Sequence, residues 1–118
     1  MAKKTIGKAA VPLSKVVIAN GFAFVSGTVP IAPDGSIPDG IDTQTRLVLD
    51  QMKDLVGEAG ATMADVVKTT VFITDKSLFA GMNAAYADYF ADEPPARSTI
   101  VCDLVADILV EIEAVVAL

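Results

Sequence analysis

Apolar residues in this chain fall in short runs of two different periods, divided by turn-forming residues. Residues 14–19 (SKVVIA) and 22–27 (FAFVSG) are rich in β-branched and aromatic side chains. Between them stands Asn20-Gly21, a pair that readily takes the positive φ angles of a two-residue hairpin turn, so the spacing predicts a β-hairpin. Prolines, aspartates and glycines crowd residues 30–40, which predicts a surface loop. The period then changes. Val48, Met52, Leu55, Val56 and Ala59 repeat at i, i+4, i+7, i+8 and i+11, the stripe of a helix packed on one side. Asp42 or Thr43 is placed to cap it and Gly60 to stop it.

Thr62 followed by Asp65 predicts a brief capped turn, and residues 66–74 (VVKTTVFIT) have strand composition. Asp75 or Ser77 can cap a second helix carrying Leu78, Phe79, Met82, Ala85, Tyr86, Tyr89 and Phe90. Pro94-Pro95 cannot continue that helix, so its end is expected near Glu93. Two further strand-like runs, 98–102 and 109–116, complete the order ββαβαββ. This order predicts one α+β domain spanning residues 1–118, with two helices on one face of a mixed sheet. The other face has no third layer to cover it, and a second copy of the chain is the economical cover.

Composition strengthens that expectation. Of 118 residues, 53% are hydrophobic before the eight glycines are added, against roughly 45–50% with glycine included in ordinary soluble domains. A small domain leaves much of its surface outside, so this surplus predicts a homo-oligomer. No apolar run approaches the ~20 residues of a membrane span, and no apolar segment follows the first lysines. A single cysteine, Cys102, excludes an internal disulfide, and a cytoplasmic location is expected. Nine basic residues against fifteen acidic ones give a net charge of −6, which disfavours a nucleic-acid partner. Histidine is absent, removing the commonest general base and transition-metal ligand together. No phosphate-binding glycine motif is present, so no cofactor or metal is expected and any chemistry must use carboxylates, arginine, hydroxyls and backbone.

Two places could supply it. On the last strand Val110, Ile112, Ala114 and Val116 share one face, while Leu109, Glu111, Glu113 and Val115 share the other. Such a pair of glutamates fits either a half-wet strand or a carboxyl group that holds a water in an apolar cleft. Arg97 follows the stiff Pro94-Pro95 and leads directly into a strand, where its planar fork could be fixed to receive a carboxylate.

Pro95-Ala96-Arg97-Ser98-Thr99 and Glu111-Ile112-Glu113-Ala114 resemble the paired C-terminal signature of the reactive intermediate deaminases, the Rid or YjgF family. Val25-Ser26-Gly27, Thr43-Gln44-Thr45-Arg46 with Val48-Leu49, the segment from Val66 to Phe72, and Asn83 with Tyr86 are similar to family segments in the same order. The resemblance implies a chorismate-mutase-like fold and a barrel-shaped homotrimer with a ligand cleft at each subunit interface. It implies hydrolysis of enamines and imines, such as 2-aminoacrylate, to 2-oxo acids and ammonia without a cofactor. Arg97 would bind the substrate carboxylate and Glu111 would orient the attacking water, with Ser26, Gly27 and Asn83 lining the cleft.

The chain departs from the family pattern in three places. Leu13, in Pro12-Leu13-Ser14, stands where a cleft-lining tyrosine is typical, and Thr99 stands where cysteine is common. The loop CDLVAD is about one residue short and carries Asp103 and Asp107, which would add negative charge near an anion site. The alternative function is therefore a regulatory trimer of the same fold that binds small carboxylates without turning them over. An RNA-cleaving role, ascribed to some relatives, is opposed by the acidic charge and the absence of histidine.

Overall fold

In the computed structural model, which describes residues 2–118, a strand absent from the predicted order opens the chain. This is β1 (Lys4–Lys8), paired antiparallel with β2 (Ser14–Ala19). Its sequence, KTIGK, holds one apolar residue, so it carries almost no alternation signal. The free edge of β2 supplies the backbone partners that make it a strand. The element order is thus βββαβαββ, one strand longer than expected. The hairpin forms as predicted: Asn20 and Gly21 take φ angles of 55° and 79°, joining β2 to β3 (Phe22–Thr28) with Ala19 opposite Phe22.

Helix α1 runs from Ile41 to Glu58 and buries Val48, Leu49, Met52 and Val56. Neither Asp42 nor Thr43 caps it. Gly40 holds the cap position, while Thr43 sits inside the first turn and its hydroxyl donates back to the carbonyls of Asp39 and Gly40. The stop is as expected. Gly60 takes a φ of 88°, and the Ala61 and Gly60 amides donate to the Val56 and Gly57 carbonyls at 3.1 and 3.0 Å. Thr62 then opens a 3-10 turn at Met63–Asp65, its amide held by the Asp65 carboxylate at 2.9 Å.

Strand β4 (Val66–Ile73) leads to a 3-10 turn at Lys76–Leu78, capped by Asp75, which accepts from the Ser77 amide at 2.8 Å. Helix α2 follows directly but covers only Phe79–Ala87, ending well before Glu93. The apolar stripe continues past the helix because Tyr89 and Phe90 are needed for packing, not for helical spacing. The Tyr89 hydroxyl donates to Asp50 at 2.7 Å and to the Arg46 carbonyl at 3.2 Å, stapling the segment to α1.

β5 (Ala96–Val101) and β6 (Val110–Ala117) complete a sheet of order β1-β2-β3-β6-β4-β5, in which only the β4–β5 pair is parallel. Val110, Ile112, Ala114 and Val116 of the central β6 are buried beneath the helices, as predicted. Gln44 of α1 ties this core to the loops: its amide donates to the Pro38 carbonyl at 2.9 Å and its oxygen accepts from the Leu109 amide at 2.8 Å. The opposite face of the sheet is open in the single chain, and it exposes Phe22, Phe24 and Ile100 by 41–46%.

Candidate functional site

The stiff Pro94-Pro95 delivers the chain into β5 at the edge of the sheet, with Arg97 in register with Thr69 of β4. Thr69 is fully buried beneath α2, so the Arg97 side chain also leaves on the helix side. There its guanidinium lies 4.8 Å from the centre of the Tyr86 ring and 5.8 Å from that of Phe79, within cation–π range. Tyr86 is itself held: its hydroxyl and that of Thr69 lie 2.7 Å apart, and burial pushes its pKa up. Arg97, Asn83, Tyr86, Ala87, Phe90, Pro94 and Pro95 line an apolar concavity of about 360 Å³. Among the described residues the ion pairs within 4.0 Å all belong to Arg46, so Arg97 has no carboxylate partner. Asn83 Oδ1 is likewise buried without a hydrogen bond. Thr99, two residues beyond Arg97, shares its face.

Glu111 stands on the other side of the sheet, in register with Phe72 of β4. Burial, and secondly the charge of Glu113, raise its pKa above the usual carboxylate value. Its carboxyl group lies against the backbone of Gly27, where a β-carbon would come within 2.0 Å of Glu111 Oε2. Gly27 sits in an irregular stretch of β3 between Val25 and Thr28, which the Ser26 hydroxyl pins by donating to the Ser14 carbonyl at 2.6 Å. Leu13, one residue before Ser14, is 47% exposed.

The predicted site residues therefore form two groups. Arg97, Asn83 and Thr99 belong to the helix side of the β5 edge, and Glu111, Gly27, Ser26 and Leu13 belong to the open face and the start of β2. Glu111 and Arg97 are two strands apart and offset by three residues along β4. From strand spacings of about 4.8 Å and a rise of about 3.3 Å, their Cα atoms are roughly 14 Å apart, with side chains on opposite faces. A single chain cannot bring both to one small substrate. Asp103 and Asp107 lie past the far end of β5 and do not line the Arg97 concavity of the single chain.

Of the two rings that hold Arg97, Phe79 was predicted only as an apolar helix position, and Tyr86 as an apolar helix position that, with Asn83, resembles a family segment. The signal for more was Asn83 standing between them, a polar residue at i+4 within an apolar stripe. Among the described residues no three His, Cys, Asp or Glu side chains converge as metal ligands would, and no helix is long and apolar enough to cross a membrane.

Residues 3–118 match the family described as Endoribonuclease L-PSP. A RutC family protein of Pyrococcus horikoshii is 43% identical over 117 residues, covering 97% of this chain and 90% of the relative. The structure of YyfA of Yersinia pestis, a protein of unknown function of the conserved Rid family, superposes with a TM-score of 0.93 at 39% identity, covering 99% of this chain and all of that one. Escherichia coli TdcF, solved with bound serine, superposes with a TM-score of 0.91 at 35% identity over 98% of both chains. The chain belongs to the Rid/YjgF family and has its fold.

Proposed function

We propose that this protein hydrolyses small enamine and imine acids, such as 2-aminoacrylate, to 2-oxo acids and ammonia in a cleft completed by a second copy of the chain. The observation that carries this reading is the unpaired guanidinium of Arg97, held over two rings at the mouth of an apolar concavity. A half-buried arginine fork without an anion suits a carboxylate, which it can hold through two parallel N–H···O bonds. The serine bound to the related TdcF has the same two groups as an imine acid, a carboxylate and a nitrogen on the adjacent carbon.

The chemistry suits the residues present. The enamine takes a proton at its terminal carbon and becomes an iminium whose C2 is already electrophilic. Glu111 as carboxylate accepts a proton from water as the oxygen bonds to C2, and the C=N electron pair moves to nitrogen. Glu111 returns the proton to that nitrogen. The C–N bond then breaks, ammonia leaves with the bonding pair, and the remaining hydroxyl proton departs to give the 2-oxo acid. One carboxyl group must both accept and donate, and a raised pKa favours that dual role. Because Arg97 and Glu111 lie on opposite faces of one chain, the two groups act together only across an interface. The open sheet face with Phe22, Phe24 and Ile100 supplies the surface for it, in the homotrimer that the family resemblance implies.

The test is 2-oxo acid release when a serine or threonine dehydratase generates the enamine in situ. Wild type is expected to accelerate release, and Arg97→Ala to lower kcat/KM by about two orders of magnitude, the scale of a lost charged bidentate contact plus orientation. Equal rates for the two proteins would refute the assignment. Leu13 favours one second reading, a carboxylate-binding trimer without turnover, because the phenol typical of the family is absent from the cleft rim. Calorimetric binding of 2-oxobutanoate with no acceleration, restored by Leu13→Tyr, would select it.

A further inference from the structure

The same pair of strands that carries Arg97 also anchors the ring beneath it. Thr69 and Arg97 are register partners on β4 and β5. Thr69 is fully buried, Tyr86 is 6% exposed, and their hydroxyls meet at 2.7 Å. The Tyr86 ring then returns to the Arg97 guanidinium at 4.8 Å, which closes a loop of strand, hydroxyl pair, ring and cation. Phe90 packs against the ring from another side, with centroids 4.7 Å apart at 40°.

This polar pair interrupts a surface that is otherwise apolar. On the same face of β4 stand Val71 and Ile73, and the helix above contributes Met82 and Ala85. Valine and phenylalanine would fill the space of Thr69 and Tyr86 with no buried polar atom to satisfy, so packing alone does not call for the hydroxyls. What the pair adds is direction. A ring tied at its oxygen cannot slide along the helix axis, and a guanidinium stacked on a fixed ring loses the freedom that a long side chain otherwise keeps.

We infer that Tyr86, locked by its hydroxyl bond to Thr69, is the positioning residue for Arg97 and sets the plane in which the guanidinium receives the substrate carboxylate. The inference rests on the carboxylate-binding role proposed above for Arg97. Thr69 lies outside the lining of the Arg97 concavity, and Tyr86 enters it as a 6%-exposed ring against the guanidinium. Both act through the arginine, so their removal falls on carboxylate affinity rather than on the chemical step.

The experiment is a set of double-mutant cycles on the full chain in its native oligomeric state. The first readout is the calorimetric Kd for 2-oxobutanoate, and the second is KM against kcat for enamine hydrolysis. Tyr86→Phe and Thr69→Val are each expected to weaken Kd by about tenfold through lost pre-organisation, with the kinetic loss in KM. Thr69→Ser, which keeps the hydroxyl, is expected to retain most of the affinity. In an Arg97→Lys background, which keeps a weaker carboxylate contact, Tyr86→Phe should have less than about a third of its wild-type effect on Kd. Full additivity in that background, or an unchanged Kd in both Tyr86→Phe and Thr69→Val, would overturn the inference. Wild type that binds 2-oxobutanoate without hydrolysing enamine would defeat the deaminase reading while the Kd cycle still judged Tyr86. Wild type that binds no carboxylate would defeat both.

Discussion

At Gly27 and Glu111 one absent side chain and one present one share a space. A β-carbon at Gly27 would meet Glu111 Oε2 at 2.0 Å, and the carboxyl group, as the flexible end of its side chain, is the part that must move. Gly27→Ala is therefore expected to leave the melting temperature within a few degrees of wild type, yet lower kcat for imine hydrolysis at least about tenfold, as small misplacements of a reacting group do. Steady-state kinetics beside a thermal melt separates the two effects. The raised pKa of Glu111 gives a second expectation. Because the carboxylate form must accept the proton from water, activity should rise with pH through an apparent pKa above the ordinary glutamate value. Glu113→Gln removes one of the two causes of the shift, so the acid limb of the kcat–pH profile should move to lower pH. The stability sign is opposite to that of a salt-bridged carboxylate. A folded-state pKa above the unfolded one contributes stability that is present at low pH and lost as pH rises through the folded value, so Glu111→Gln should not lower the melting temperature at pH 7. That glutamates 111 and 113 share one face was legible from the period of two. That only Glu111 is half-buried against a glycine was not, because Gly27 comes from another strand.

Elements followed the local signals that rest on backbone φ, although the side-chain cap expected from Asp42 or Thr43 gave way to Gly40. The turn at Asn20-Gly21 and the stop at Gly60 use φ angles that few other residues adopt, so their positions were readable without any tertiary information. The ends that depend on packing were not. Helix α2 stops at Ala87 although the apolar stripe runs to Phe90, because Tyr89 is bonded to α1 instead of continuing the helical turn. Strand β1 exists because β2 offers an edge, and its own residues hardly announce it. Gln44 shows the same limit at the start of α1. It is 5% exposed and serves both the Pro38 carbonyl and the Leu109 amide. Gln44→Met, similar in size and apolar, leaves both backbone groups without this partner and should cost about 1–3 kcal/mol in urea unfolding. Loosening the approach to β6 would also shift Glu111, so hydrolysis is expected to fall more than the folded fraction does.

For the whole molecule, the decisive fact is that the two groups assigned to the chemistry stand on opposite faces of one sheet. If they meet across an interface, inactive subunits can repair one another. Mixing Arg97→Ala and Glu111→Gln chains in equal amounts, by refolding together, creates some clefts with both residues intact. With random assembly in a ring, about one quarter of the clefts should be complete, since each draws its arginine and its glutamate from different chains. Recovery near that fraction of wild-type kcat supports the shared cleft, and no recovery means that each chain uses its own pair. The sequence by itself determined what is local or periodic: the hairpin, the helix stripe, the alternating last strand, the surplus of apolar surface, and the residue types left to do chemistry without histidine. Only the tertiary structure decided which residues face one another, namely Tyr86 beneath Arg97, Gly27 against Glu111, and the sheet between the two sites. The reason is physical. Turns and periods are properties of neighbouring residues, whereas the side of a sheet on which a side chain emerges, and what it meets there, depends on pairing between strands far apart in the chain.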